Sequence, residues 1–231
     1  MPEATQRSYG GRSAEARRAE RRERLLDSAL DVMAGNEWRG VTVEKLCLGA
    51  GLNKRYFYES FSDLDTVGAA VVDDIAAKVS AATVAAAAAA AAEPIDRQAM
   101  AAVGAVVREL VADPRRAQVL LGGVAASPTL HHHREAVMTG LTAVLVGHAR
   151  AVHGVELEKD PLAEVAPAFI VGGTADAILA FVDGRARVTI DELVESLATL
   201  WLVAGNGAAD VARARSAKAI ADSVDPAPGP R

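Results

Sequence analysis

The side chains with most chemistry to offer stand within seven consecutive positions: Asn53, Lys54, Arg55, Tyr56, Tyr58 and Glu59. An arginine guanidinium matches the O6 and N7 acceptors of guanine, and a lysine serves guanine or phosphate equally. A tyrosine hydroxyl can bond a phosphate while its ring packs on sugar or a thymine methyl. Exposed aromatics are costly in water without a partner. Two tyrosines interleaved with Lys and Arg therefore point to double-stranded DNA. A helical hairpin with a solvated charged face would show the same spacing, and that alternative stays open on spacing alone.

For these residues to share a surface, the chain must fold as two short helices at a steep angle. The segment 42–61, TVEKLCLGAGLNKRYFYESF, has that pattern. Thr42 is placed to cap a helix in which Val43, Leu46, Cys47 and Ala50 keep helical spacing. Gly51 supplies the positive φ that the turn requires. Asn53 caps the next helix, expected to run to about Phe61. Leu46, Leu52, Phe57 and Phe61 face a small core, with Cys47 as the small residue where the helices cross. Both helix N-termini, at Thr42 and Asn53, offer N–H groups to phosphate. Trp38, in the connection before them, reads as a plug on that core.

The remaining elements follow from periodicity and punctuation. A first helix is expected over Ala14–Ala34, stopped by Gly35. Ser62 with Asp65 resembles a capping box that opens a helix from Asp63 to about Ser80. Further helices are expected near Ile95–Val111, Arg115–Val124, Thr129–Val152, Leu162–Val182 and Ile190–Ala204, with Pro167 kinking or resetting its own. The eight-alanine run 85–92 reads as compositional drift. No strand-like alternation or repeat is found. With 51% hydrophobic residues, about two fifths of them Ala, and only 4% aromatic, the 231-residue chain reads as all-α.

Charge is distributed unevenly. The net charge is −5, yet residues 1–60 carry eleven Lys and Arg against nine Asp and Glu. Residues 61–231 carry fourteen against twenty-one, and Arg7–Arg24 alone holds seven Arg and three Glu. A cationic end on an acidic body suggests that one end meets a polyanion. The arginines at 17, 18, 21, 22 and 24 fit a backbone-following arm, or equally a solvated helix with pairs such as Glu20–Arg24. The N-terminus lacks an apolar signal-peptide region, and the longest apolar run, Val79–Ala92, is short for a membrane span. A cytoplasmic protein with no membrane partner is expected. The single cysteine excludes an internal disulfide framework.

Residues from about Glu20 to Val79 resemble the DNA-binding domain of TetR-type transcriptional regulators. The resemblance rests on the helix ending at Gly35, on Val41-Thr42-Val43, and on Ala50-Gly51-Leu52 at the turn. It rests also on Phe57-Tyr58-Glu59-Ser60-Phe61 followed by Asp63 and Leu64, which matches the family's Leu-Tyr-x-His-Phe pattern. It covers about a quarter of the chain and implies an N-terminal three-helix helix-turn-helix domain plus a C-terminal helical ligand-binding and dimerisation domain. The expected divisions are a flexible basic arm and the start of the first helix over 1–18, the DNA-binding domain over 19–79, the effector and dimerisation domain over 80–222, and a disordered tail over 223–231. By position, the resemblance makes Thr42 a phosphate contact, Tyr58 a phosphate or sugar contact, and Lys54, Arg55 and Tyr56 the base readers. Leu64 stands where the family often has a basic residue, which removes a phosphate clamp. Arg55-Tyr56 replaces a usually small pair, which should change the operator sequence.

The resemblance also implies dimerisation through the last two long helices. Phe169, Gly172, Gly173 and Ile178 on one, and Leu193, Leu197, Leu200 and Trp201 on the other, form suitable stripes, although the same stripes would serve a protomer core. Candidate lining for an apolar effector is Val103, Val107, Leu110, Met138, Leu141, Leu145 and Phe169, with His148 or Thr174 as polar anchors. His131-His132-His133 diverge by about 100° per residue and cannot close on one ion, and His148 and His153 are five apart. No metal or cofactor is expected. No G-x-S-x-G, H-E-x-x-H, G-x-G-x-x-G or Walker-A pattern occurs, and Asp73-Asp74 has no third acidic group at bridging spacing, so no catalytic residue is assigned. The expected function is a ligand-responsive homodimeric repressor on a pseudo-palindromic operator. The alternative is a helical small-molecule-binding protein or enzyme whose helix-turn-helix no longer reads DNA.

Overall fold

Ser13 opens the first helix, its hydroxyl accepting the Ala16 N–H at 3.0 Å. From there the computed structural model describes residues 13–123, 127–153 and 160–224, with side chains except at 144–146, 148–153, 163–164 and 219–224. Within these residues the chain is helical: α1 (Ala14–Ala34), a 3-10 turn (Trp38–Gly40), α2 (Val43–Gly49), α3 (Lys54–Tyr58), α4 (Leu64–Ala89), α5 (Ile95–Val111), α6 (Pro114–Leu120), α7 (Pro128–His153), α8 (Leu162–Val182) and α9 (Ile190–Val224). No strand occurs among the described residues.

Several boundaries depart from the sequence pattern, each for a local reason. α3 stops at Tyr58 and hands over through a turn to Phe61. The cap of α4 is Asp63, not Ser62: its Oδ1 accepts the Thr66 N–H at 2.8 Å, which holds its carboxyl below the usual carboxylate range. Ser62 donates instead to Asp63 Oδ2 at 2.9 Å. α4 runs on to Ala89 because alanine is the strongest helix former and nothing interrupts it before Pro94. α9 passes Gly205-Asn206-Gly207 for the same reason, carried by the alanines beyond. α6 is cut at Leu120 by Gly122 and Gly123, the latter at φ +76°. α8 runs through Pro167 as one helix. Its residues 165–182 are long and apolar enough to span a membrane by length and composition, a stretch missed because Thr174 and Asp176 break the apolar run.

Among the described residues one buried cluster runs from the N-terminal helices into the C-terminal ones. Leu25, Ala29 and Met33 of α1 pack with Leu46, Phe57 and Phe61, and the same buried cluster continues through Val67, Val71 and Ile75 of α4 to Val103, Val107 and Leu110 of α5. Leu193, Val194, Leu197 and Ala198 of α9 close its far side. α4 is therefore shared between the N-terminal and C-terminal parts. Gly68 marks a tight crossing: a Cβ there would lie 2.7 Å from Leu130 Cδ2 and 2.9 Å from Trp38 Cζ2.

A polar joint reinforces this continuity. Arg115 of α6 lies 3.0 Å from Asp27 and 2.5 Å from Asp31 on α1, and 2.8 Å from its neighbour Asp113. Hydrogen bonding to Arg115 holds Asp113 below the usual carboxylate range, and the same partners push the guanidinium still higher. A depressed carboxylate stabilises the fold above its unfolded pKa of about 4, and that contribution fades as pH falls through the lower folded value. Arg115→Ala is expected to cost about 1 kcal/mol at pH 7, a figure limited by solvent access to the joint. Denaturant unfolding should show the gap between wild type and variant closing below about pH 4. An unchanged gap at pH 3 would sink the ionic account.

Candidate nucleic-acid interface

The helix-turn-helix is built around a close approach of α1 and α2. Ser28, buried on α1, donates its hydroxyl to the Leu46 carbonyl at 3.1 Å. A Cβ on Gly49 would collide with that same hydroxyl, so only glycine lets the helices meet. Cys47 is buried beside this crossing, and burial pushes its thiol pKa up, away from reactivity. Gly51 turns the chain at φ +62°, and its carbonyl accepts from Arg24 Nη2 at 3.4 Å.

Thr42 and Asn53 cap their helices as the sequence pattern requires. The Thr42 hydroxyl accepts the Lys45 N–H at 3.1 Å and Asn53 Oδ1 accepts the Tyr56 N–H at 3.2 Å. Phe57 is fully buried and fixes which side of α3 faces out. Asn53, Lys54, Arg55 and Tyr58 are exposed on α3, and Tyr58 packs edge-on to Phe57 with centroids 5.3 Å apart. Tyr56 is the exception among the expected base readers. It is half-buried, with the Arg21 guanidinium 4.4 Å from its ring centre.

Two carboxylates and one apolar side chain share this surface. Lys54 is 3.3 Å from Glu44 of α2, and Arg55 Nε is 3.1 Å from Glu59. Leu48 at the end of α2 is 81% exposed, more than any other large apolar side chain described. The Arg55–Glu59 pair could have been read from its i, i+4 spacing. The Glu44–Lys54 pair could not, since it joins two helices. The α1 arginines also differ from a free arm: Arg18 donates to the Glu59 carbonyl and Arg22 lies over the Phe61 ring at 5.2 Å.

The C-terminal candidates divide differently from the sequence reading. Val103, Val107 and Leu110 are buried in the core, and Met138 and Leu141 pack against it half-buried. Thr174 is already engaged, donating to the Ile170 carbonyl and accepting from Trp201 Nε1, both at 2.7 Å. The side chains of Leu145 and His148 lie outside the described residues, as does that of His153. Phe169 is 73% exposed on α8, apart from the buried Val103, Val107 and Leu110 with which the sequence reading grouped it. Leu193 and Leu197 are buried inside the protomer, in the core cluster that also holds Val103 and Val107 of α5. Gly172 and Gly173 face open space. A shallow apolar groove of about 300 Å³ lies nearby between α8 and α9, lined by Val165, Ala166 and Phe169 on one helix and Ala204, Gly207 and Val211 on the other. His131, His132 and His133 bond separately to Glu135, the Pro128 carbonyl and Asp73. No metal-binding group is present among the described residues.

No protein-family model and no curated protein matches the chain. Solved structures do. A TetR-like transcriptional regulator from Rhodococcus sp. RHA1 aligns with TM-score 0.60 at 18% identity, covering 79% of this chain and 96% of that one. A transcriptional regulator from Pseudomonas aeruginosa PAO1 aligns with TM-score 0.64 at 20% identity, covering 86% and 99%. FadR from Bacillus subtilis, solved in complex with stearoyl-CoA, aligns with TM-score 0.61 at 15% identity, covering 78% and 96%. The chain has the fold of TetR-type regulators. On this TetR-type fold the helix-turn-helix depends on the Ser28–Gly49 crossing. Gly49→Ala is expected to destabilise by about 1–3 kcal/mol through overpacking. Adding Ser28→Ala should recover part of that loss in a double-mutant cycle read by thermal unfolding. Simple additivity of the two losses would place the strain elsewhere.

Proposed function

We propose that the chain is a homodimeric, ligand-responsive DNA-binding repressor that inserts α3 into the major groove of a pseudo-palindromic operator. The observation that carries this reading is α3 itself: a helix held rigid by buried Phe57, with Lys54, Arg55 and Tyr58 turned outward beside one another. The TetR-type fold supports the docking mode, and neighbours named as transcriptional regulators support a regulator over an enzyme. Thr42 and Tyr58 are the phosphate or sugar contacts and Arg55 and Lys54 the base readers. Tyr56 acts chiefly by packing under Arg21.

The outer face of α8 and α9 is the dimer surface. Val165, Phe169, Leu200 and Val203 are each exposed by 61% or more, and the glycines between them allow close helix approach. The apolar character of residues 165–182 is divided between this face, with Val165 and Phe169, and the protomer core, with Ile178 and Phe181. The effector carries an apolar portion, in keeping with the acyl chain of the stearoyl-CoA in the Bacillus subtilis FadR complex. Its binding would be felt at α3 through α4, which carries Gly68 against Trp38, and through Arg115. About 2.7 kcal/mol of differential affinity between two states shifts occupancy a hundredfold.

The test is selection of random duplex DNA by the purified protein at about 0.15 M salt, where specific and general binding separate. The wild type should enrich a palindrome and a Lys54→Ala/Tyr58→Ala variant should not. Failure of the wild type to enrich any sequence overturns the reading. Arg55→Ala should relax preference at one or two base pairs by about 1–3 kcal/mol, and Tyr58→Phe should weaken all sequences alike. Phe169→Glu places a charge on the α8–α9 face and should yield a monomer in sedimentation. A dimer of unchanged strength would put the interface elsewhere.

A further inference from the structure

Arg55 is 84% exposed, yet its guanidinium is not left to wander. Its Nε donates to Glu59 Oε1 at 3.1 Å, one helical turn along α3. That bond occupies the inner edge of the guanidinium. The outer edge, with Nη1 and Nη2 side by side, has no other partner among the described residues. Two parallel N–H donors are what the O6 and N7 pair of guanine accepts.

Glu59 is itself held from a second helix. Its Oε2 lies 3.6 Å from Arg21 Nη2, and its backbone carbonyl accepts from Arg18 Nη2 at 2.5 Å. Arg21 in turn lies over the Tyr56 ring. An ordinary i, i+4 surface pair has no such backing and contributes little. Here the carboxylate is only 34% exposed and spans two arginines, one on α1 and one on α3. The arrangement also has a cost. A carboxylate on a surface meant for DNA repels phosphate and lowers affinity for every sequence.

We propose that Glu59 is a positioning residue for sequence reading: braced by Arg18 and Arg21, it presents the outer edge of Arg55 to one guanine in each half-site. The proposal rests on the DNA-binding reading and names a partner for one of its side chains. Glu59 trades general affinity for discrimination, so removing it should move two observables in opposite directions.

The experiment compares wild type, Arg55→Ala, Glu59→Ala and Glu59→Gln in duplex selection and in binding to the selected operator and to a scrambled duplex. Wild type should enrich a fixed guanine that Arg55→Ala loses. Glu59→Ala should weaken that guanine preference by about tenfold while binding the scrambled duplex more tightly than wild type. Glu59→Gln keeps an acceptor for Nε without the charge. It should retain part of the guanine preference yet gain scrambled-duplex affinity as Glu59→Ala does. A merely structural Glu59 would weaken both duplexes together, and that result overturns the proposal. So does an unchanged guanine preference in Glu59→Ala, or a change confined to a cytosine that Glu59 would then be reading itself. A wild type that enriches no sequence defeats the DNA-binding reading as a whole, whereas an enriched site insensitive to Glu59 defeats only this inference.

Discussion

A five-residue helix has no stability of its own, because nucleating a helical turn costs more than so short a segment returns. Every property of the outward surface of α3 therefore depends on how the rest of the N-terminal part clamps it. Phe57 anchors the helix from below with no exposure, and Asn53 closes its first turn. From the side, α1 reaches across with Arg18 on the last carbonyl and Arg24 on the carbonyl of the turn. The arginine run of α1, which composition alone suggests to be a polyanion-binding arm, is largely spent on this clamp. Two roles meet in one set of residues: cations that raise the local potential also fix the geometry of the residues beside them.

The clamp is not isolated from the rest of the molecule. α4 begins at the edge of the helix-turn-helix and, through Val71, Ile75 and Val79, packs into the same core as α5, so it belongs to both parts. Its passage over Trp38 and Leu130 at Gly68 leaves no slack. Close-packed contacts of this kind transmit displacement instead of absorbing it. Arg115 adds a second connection, polar and partly solvated, between α6 and two turns of α1. Ser127 adds a third, donating to Asp65 at the start of α4 at 2.7 Å. A change in the helices around α6 and α7 thus has three routes to the seat of α3.

The outer face of α8 and α9 obeys a different logic. Alanine and glycine dominate it, and the large side chains it carries, Phe169, Leu200 and Val203, stand in the open. A face with small residues between a few large ones favours close helix-on-helix packing. The inner stripe of α9 has the same composition class but serves the opposite purpose, closing the protomer core against α5. The two stripes of one helix are thus divided between the inside of the protomer and its surface.

The sequence by itself determined the all-helical class, since alanine and the 3.6-residue spacing leave strands no place. It also determined the helix-turn-helix, because the Thr42 and Asn53 caps and the positive φ at Gly51 are local requirements written in single residues. α1, α5 and α8 end where their own punctuation says. What only the tertiary structure decided is everything that depends on partners distant in the chain. The Ser28–Gly49 crossing, the Glu44–Lys54 pair and the Arg115 joint each bring together residues on separate helices, and no periodicity encodes them. The same holds for which stripe of α9 is core and which is surface. An apolar stripe at helical spacing states that a face must be covered, and the covering element is set by packing across the whole fold.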